Sequence, residues 1–396
     1  MNCFEVIKIM NAILAPLICR FFLSLTHIHL ILKTNLLFVM IKLFFRKSWL
    51  IIWLAVFTFA ISRVFSAFPA IAEQFYSQGF YPFFASVLSF YSSWFSFSLD
   101  DIFYTLLITC LSVLIVLVIL KKVQVKEFGL LLINSLAACF VLFYWLWGFN
   151  YFRQDFNVRL GIPEVSPDKQ ELLAALGKLV DETNASYLPV DSIDRLAADS
   201  VIEASYKKHA AGLKITYPSG IRQPKHITYG SFFAKAMISG YYGPFFNEVH
   251  VNNFVLPIEY PMVLAHEKAH QFGITSEAEA NFYAWLVCTQ SSDQQAKYSA
   301  NLYILRYFIH EASRFEEARE IVKKLRDEVR QDYAKIREHW MALRNEKIDE
   351  MAGKVNDAYL KANKVEKGID DYSGVVKFVM DYRGQQEKQG NDSSEN

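Results

Sequence analysis

The chain has 396 residues, 53% of them hydrophobic, with a formal net charge of +1 and a mean hydropathy of +0.16. A charge this close to zero excludes the broad basic surface that a nucleic-acid-binding protein needs, so no nucleic-acid partner is expected. Positive hydropathy combined with a charged last third excludes a uniformly soluble chain, and the sequence divides into a membrane part and a soluble part.

Residues 1–46 are apolar but interrupted by Arg20, His27, His29 and Lys33. Three readings stay open for them: an over-extended reading frame ahead of Met40, an interfacial segment, or an extra span. Residues 47–150 read as the transmembrane region. Its first span covers residues 48–67, follows Arg46 and Lys47, and is long enough to cross the hydrocarbon layer. Arg63, near its outer end, is read as snorkelling to the interface. The aromatic and serine-rich run from Pro69 to Asp101 carries Glu73, Asp100 and Asp101 and no Lys or Arg, which suits the outer interface. A second span is expected over 102–120, ending in Lys121, Lys122 and Lys126, and a third over 128–149. Basic residues precede the first span and separate the other two. The positive-inside rule therefore puts the N-terminal side in the cytoplasm and everything after Tyr151 outside it, with the lipid bilayer as a partner.

The soluble domain is expected over 151–382. It opens with NYFRQDFNVRLGIPEV, read as a connector along the membrane surface. Ser166 and Pro167 then start a helix through Thr183, with Leu172, Leu173, Leu176 and Leu179 on one face. DSIDRLAADSVIEASYKKHA reads as a second helix. Between Leu213 and Phe254, short alternating runs such as KHITYG and NEVHVN predict two to four strands. His250, alone on such a strand, reads as a surface or packing residue. Pro257 and Pro261 end the strand region. From Val322, the positions Leu325, Val329, Tyr333, Ile336, Trp340 and Leu343 recur at threes and fours. They predict one apolar stripe on a long charged helix, packed within the domain or at a homo-oligomer seam. Residues 383–396 read as a disordered tail. Cys288 is the only cysteine in the soluble part, which leaves no internal disulfide framework there.

The chemistry concentrates in LAHEKAHQFGITSEAEANFYAW, residues 264–285. His266 and His270 lie four apart, so on a helix their imidazoles share a face and can share a metal, with Glu267 beside them as general base. Catalytic zinc takes three protein ligands and keeps a fourth position for water. Gly273 is expected to end the helix in a left-handed conformation. Ser276 and Glu279 read as a capping box that starts a second helix at Glu277. Glu277, in that first turn, can point back at the histidines as third ligand. Asn281, one turn on, can hydrogen-bond a histidine's outer nitrogen. Glu279 is a reserve ligand, better used in the cap.

HEKAH followed by Glu277-Ala-Glu-Ala-Asn281 resembles the gluzincin group of zinc peptidases, whose third ligand is the first Glu of a Glu-x-x-x-Asp motif. Asn281 stands where that motif has Asp, and the gap from His270 to Glu277 is shorter than in thermolysin-like members. From Met40 to Tyr382 the chain is similar to a bacterial membrane family catalogued as domain of unknown function 3810.

The resemblance implies an α+β, helix-rich protein: three N-terminal transmembrane helices, then a zincin-like domain with a small sheet and long C-terminal helices. It implies one Zn2+ per chain in a multi-pass protein of the bacterial inner membrane, its C-terminal domain extracytoplasmic. The expected activity is metallopeptidase-like, with Glu267 activating zinc-bound water against a peptide bond of an envelope peptide or protein. The alternative is a zinc-binding envelope sensor or binding module without turnover. NEVHVN would be the sheet edge that pairs with substrate, and Tyr372 and Lys361 would be the candidates for stabilising an oxyanion.

Overall fold

The computed structural model describes residues 36–164, 167–363 and 374–394. The open question about residues 1–46 falls mostly outside them.

Three apolar helices could span a membrane. The first lies within α1, Leu36–Ala67, of which Trp49–Ala67 is the apolar part. A three-part helix follows, Pro69–Ile71, Ala72–Phe80 in π geometry and Tyr81–Ser92, together α2. The second and third apolar helices are α3, Leu99–Ile119, and α4, Val125–Leu146. Both start about three residues before the apolar run, because their first turns are set by caps and not by hydropathy. Ser98 accepts from the Asp101 amide ahead of α3, and Gln124 with Glu127 forms a capping box ahead of α4. The third span also ends earlier than expected. The ring of Phe143 fills the space where a Cβ on Gly148 would sit, and the chain tightens into a 3-10 turn, Gly148–Phe152.

The expected surface connector is instead a packed seam. Phe149, Asn150 and Phe152 are buried, and the short α5, Phe156–Leu160, buries Phe156 in the main core. Helix α6, Lys169–Ser186, is started by an Asp168–Glu171 capping box, which displaces the expected start at Pro167, and Ser166 lies outside the described residues. Helix α7 is Arg195–His209.

A three-stranded sheet comes next: β1 (Lys225–His226), then helix α8 (Gly230–Lys235), β2 (Gly240–Gly243) and β3 (Glu248–Val251). The spatial order is β1-β3-β2, with β1 parallel and β2 antiparallel to β3. NEVHVN therefore supplies the central strand, which corrects the edge role expected for it; β2 is the edge beside the histidine helix. His250 is buried, stacked on Tyr241 with ring centroids 4.2 Å apart.

Helices α9 (Tyr260–Gln271), α10 (Glu277–Thr289) and α11 (Gln294–Ala312) form the centre of the core. The long charged helix is broken. Helix α12 (Glu316–Val322) stops at Val322, and α13 runs over Asp327–Leu343. Its stripe is covered by the chain itself, with Val329 and Trp340 buried and Tyr333, Ile336 and Leu343 packed against the core. Helix α14 is Glu346–Ala362 and α15 is Val375–Ser394. Most of the expected disordered tail thus continues a helix. Arg383 holds it, stacking over Trp285 at 5.1 Å and pairing with Glu182 at 2.5 Å.

Candidate metal centre

Helix α9 is wholly buried and its two faces do different things. Lys268 points away from the histidines and ends 2.8 Å from Asp199 and 2.6 Å from Glu203, one turn apart on α7. This buried ion triad pins the back of α9. The opposite face then carries His266 and His270 toward α10.

Between the helices, Gly273 takes φ +82°, and a Cβ there would press on Asn150 and Tyr81 at 3.0 Å. The turn ends at Ser276, whose hydroxyl accepts from the Glu279 amide. Only half of the expected capping box forms. The Glu279 carboxylate turns to the buried Arg159 guanidinium at 2.7 Å, so it is neither a cap nor a reserve ligand. An unpaired buried guanidinium would cost far more than one helix cap contributes.

His266, His270 and Glu277 converge as three potential metal-ligating side chains. His266 Nε2 lies 3.1 Å from His270 Nε2 and 3.1 Å from Glu277 Oε2, and His270 Nε2 lies 3.5 Å from the same oxygen. Tetrahedral zinc with ligands at 2.0–2.1 Å separates any two of them by about 3.3 Å. The outer nitrogens are already engaged. His266 Nδ1 donates to Asn281 Oδ1 at 2.9 Å, and His270 Nδ1 donates to the Ile274 carbonyl at 2.7 Å. Both rings therefore turn Nε2 inward, where either a shared proton or a metal ion can lie between the two nitrogens and the Glu277 carboxylate. The donor set fits zinc on chemistry as well as on spacing.

The charges agree with this. Burial disfavours a charged His270, yet the Glu277 carboxylate outweighs it and pushes the pKa up to about 9. Burial likewise opposes an ionised Glu277, and the histidines overcome it to hold the carboxyl well below its usual range. Glu267 is not among the converging donors. Burial pushes it up to about 7 despite the two histidines.

Of the two oxyanion candidates, only Lys361 falls among the described residues. Lys361 is exposed and paired with Asp357 at 2.8 Å, and Tyr372 lies outside the described residues. Three tyrosines stand near Glu277. Burial raises the pKa of Tyr151, Tyr303 and Tyr359, and the Glu277 charge adds to the shift in each. Aromatic residues this far from the motif gave no local signal.

A family model described as a protein of unknown function (DUF3810) matches residues 76–380. The chain belongs to the DUF3810 family. No curated protein and no solved structure matches it. The matched span of this DUF3810 chain begins inside α2 and ends inside α15, so it takes in two of the apolar helices, the sheet and the whole candidate centre.

The centre is also tied to the membrane part. Trp147, which caps α4, donates its indole N–H to the His270 carbonyl at 2.9 Å. Tyr81 donates to the Gln271 carbonyl at 2.7 Å, and Arg153 to the Gly273 carbonyl at 3.0 Å. Arg153 is itself held by Glu73 at 2.7 Å. Burial alone would raise the Glu73 pKa, but the Arg153 hydrogen bonds and charge hold it below the usual carboxylate range.

Proposed function

We propose that this protein is a membrane-anchored zinc-dependent hydrolase of peptide bonds, gluzincin-like in its ligands, with the domain after Tyr151 on the outer side of a bacterial cytoplasmic membrane. The observation that carries the reading is the inward convergence of His266, His270 and Glu277 next to a carboxylate, Glu267, that is not one of the converging donors. A purely structural zinc site closes on four protein ligands and gains nothing from a spare base beside them.

Zinc held by His266, His270 and Glu277 would supply Lewis acidity at the scissile carbonyl and acidify water there. Asn281 and the Ile274 carbonyl hold the two imidazoles in the tautomer that binds a metal. Glu267, buried beside the histidines and not one of the converging donors, is placed to take a proton from water and give it to the leaving amine. Gly240 at the start of β2 leaves room for that carboxylate, so the edge strand and the base border the same space.

The test uses the full chain purified in detergent. Wild type should hold one zinc per chain and hydrolyse peptides, and Glu267→Gln should hold the same zinc and hydrolyse none. Wild-type protein grown with zinc that carries no metal would refute the reading. So would a Glu267→Gln variant as active as wild type.

A further inference from the structure

The candidate centre lies against the end of an apolar helix, not at the far side of the domain. α4 ends at Leu146; the next residue, Trp147, hydrogen-bonds His270, with ring centroids 6.4 Å apart. One residue of rise, the Trp147 side chain, its hydrogen bond to the His270 carbonyl and the His270 side chain place the centre within about 15 Å of the end of that helix. The polar headgroup zone is itself about 5–7 Å deep on each side of a bilayer.

The surroundings support that height. Tyr359 flanks the site, with part of its ring exposed and its hydroxyl enclosed. Its ring meets Phe143, in the last turn of α4, at 6.2 Å, its hydroxyl accepts from Tyr151 at 3.2 Å, and Glu277 acts on its charge. Tyr144 of α4 reaches Asn363, just past α14, at 3.2 Å. One wall beside the ligands is therefore built from the end of a membrane-length helix. Nearby in the chain, α2 leaves Phe75, Phe80, Phe83, Phe90 and Tyr91 exposed, followed by Trp94, as an aromatic belt at headgroup level does.

We propose that the substrates are polypeptides anchored in the same membrane, cut within a few residues of the anchor. The proposal rests on the hydrolase reading above and narrows it. A soluble peptide would have to enter the headgroup zone to reach the ligands, whereas an anchored chain arrives with its first outer residues at that level. At about 3.3 Å per extended residue, a height of up to about 15 Å corresponds to at most about five residues beyond the anchor. Confinement to the same layer raises effective concentration, with an expected gain in kcat/KM of about 10²-fold or more over the soluble form.

The test places the full chain in phosphatidylethanolamine–phosphatidylglycerol vesicles with two probes. One is an apolar span followed by a long unstructured segment, and the other is the same segment without the span. Cleavage positions are read by mass spectrometry. A second readout needs no turnover: a photoreactive phenylalanine replaces Tyr359 in the Glu267→Gln variant, and crosslinks to each probe are mapped.

The expected result is preferential cleavage of the anchored probe, about three to five residues past the span, with crosslinks at the same place. The position should stay fixed, counted from the anchor, when residues are inserted further out. Equal cleavage of both probes, or cuts spread along the segment, would overturn the proposal and leave the hydrolase reading standing. Crosslinking near the anchor with no cleavage by wild type would uphold the placement and overturn the hydrolase reading. Neither cleavage nor crosslinking would overturn both.

Discussion

Gly240→Ala separates metal binding from turnover. A Cβ at position 240 would lie 2.7 Å from Glu267 Oε1, 2.9 Å from Glu267 Cγ and 2.8 Å from the His250 carbonyl oxygen, where ordinary contact begins at 3.4 Å. Something must yield by about 0.5–0.7 Å, the difference between those distances. The end of Glu267 can swing away, but the His250 carbonyl is β3 backbone, so β2 must also shift against β3 within the register from Gly240↔Val251 to Gly243↔Glu248. A reacting group displaced by that much loses about 10–100-fold in rate. Overpacking costs about 1–3 kcal/mol of stability. None of the three atoms nearest the new Cβ belongs to His266, His270 or Glu277, so zinc content should stay at one per chain. The assay compares wild type and variant for zinc by mass spectrometry, melting by circular dichroism, and peptide hydrolysis. A variant that melts normally and hydrolyses at the wild-type rate would show that Glu267 is not the base poised against β2.

Asn281→Ala should weaken zinc affinity about 10–100-fold by freeing the His266 ring, while Asn281→Asp should bind at least as tightly as wild type; competition with a fluorescent chelator reads both. Lys268→Met leaves Asp199 without its cation in the core, while Glu203 keeps Arg222 and Tyr217, and should destabilise by about 3–5 kcal/mol in denaturant unfolding; a loss under about 1 kcal/mol would show that the triad does not hold α9. Glu73 makes the junction acid-sensitive. Its folded pKa is depressed, so its contribution is complete above the unfolded value near 4.5 and is lost as pH falls through the lower folded value. Thermal melts taken downward from neutral pH should therefore show an acid limb that Glu73→Gln flattens, and an unchanged limb would remove Glu73 from the account.

The parts of the site that could be read from sequence are those whose geometry is local. Four-residue spacing puts His266 and His270 on one face, a positive φ needs Gly273, and a first-turn Glu277 with Asn281 one turn later follows from the cap at Ser276. Each depends on neighbours within about one or two helical turns. What could not be read depends on partners remote in the chain. Glu279 looked free for a cap because nothing nearby announces Arg159, 120 positions earlier. Nothing near Lys268 in sequence announces Asp199 and Glu203 on α7, against which it is fully buried. The sheet shows the same limit. Alternation located β3, but strand order is decided by long-range pairing, and that moved the edge to β2.

The ends of helices explain why the membrane part and the candidate centre are inseparable. The last turn of an α-helix leaves carbonyls without internal partners, and the chain leaving α9 must carry both His270 and the turn to Glu277. Water cannot satisfy those carbonyls, because His270, Gln271, Phe272 and Gly273 are all buried. The donors come from α2 and from the residues after α4: Tyr81 for the Gln271 carbonyl and Arg153 for the Gly273 carbonyl, while the His270 carbonyl takes the Trp147 indole in addition to the Gly273 amide. The apolar-helix region is therefore built into the core of the candidate centre. It completes the helix that carries His266 and His270 and fixes the turn that brings Glu277 to them, so the residues after α4 and those of α2 border the candidate centre as α9 and α10 do.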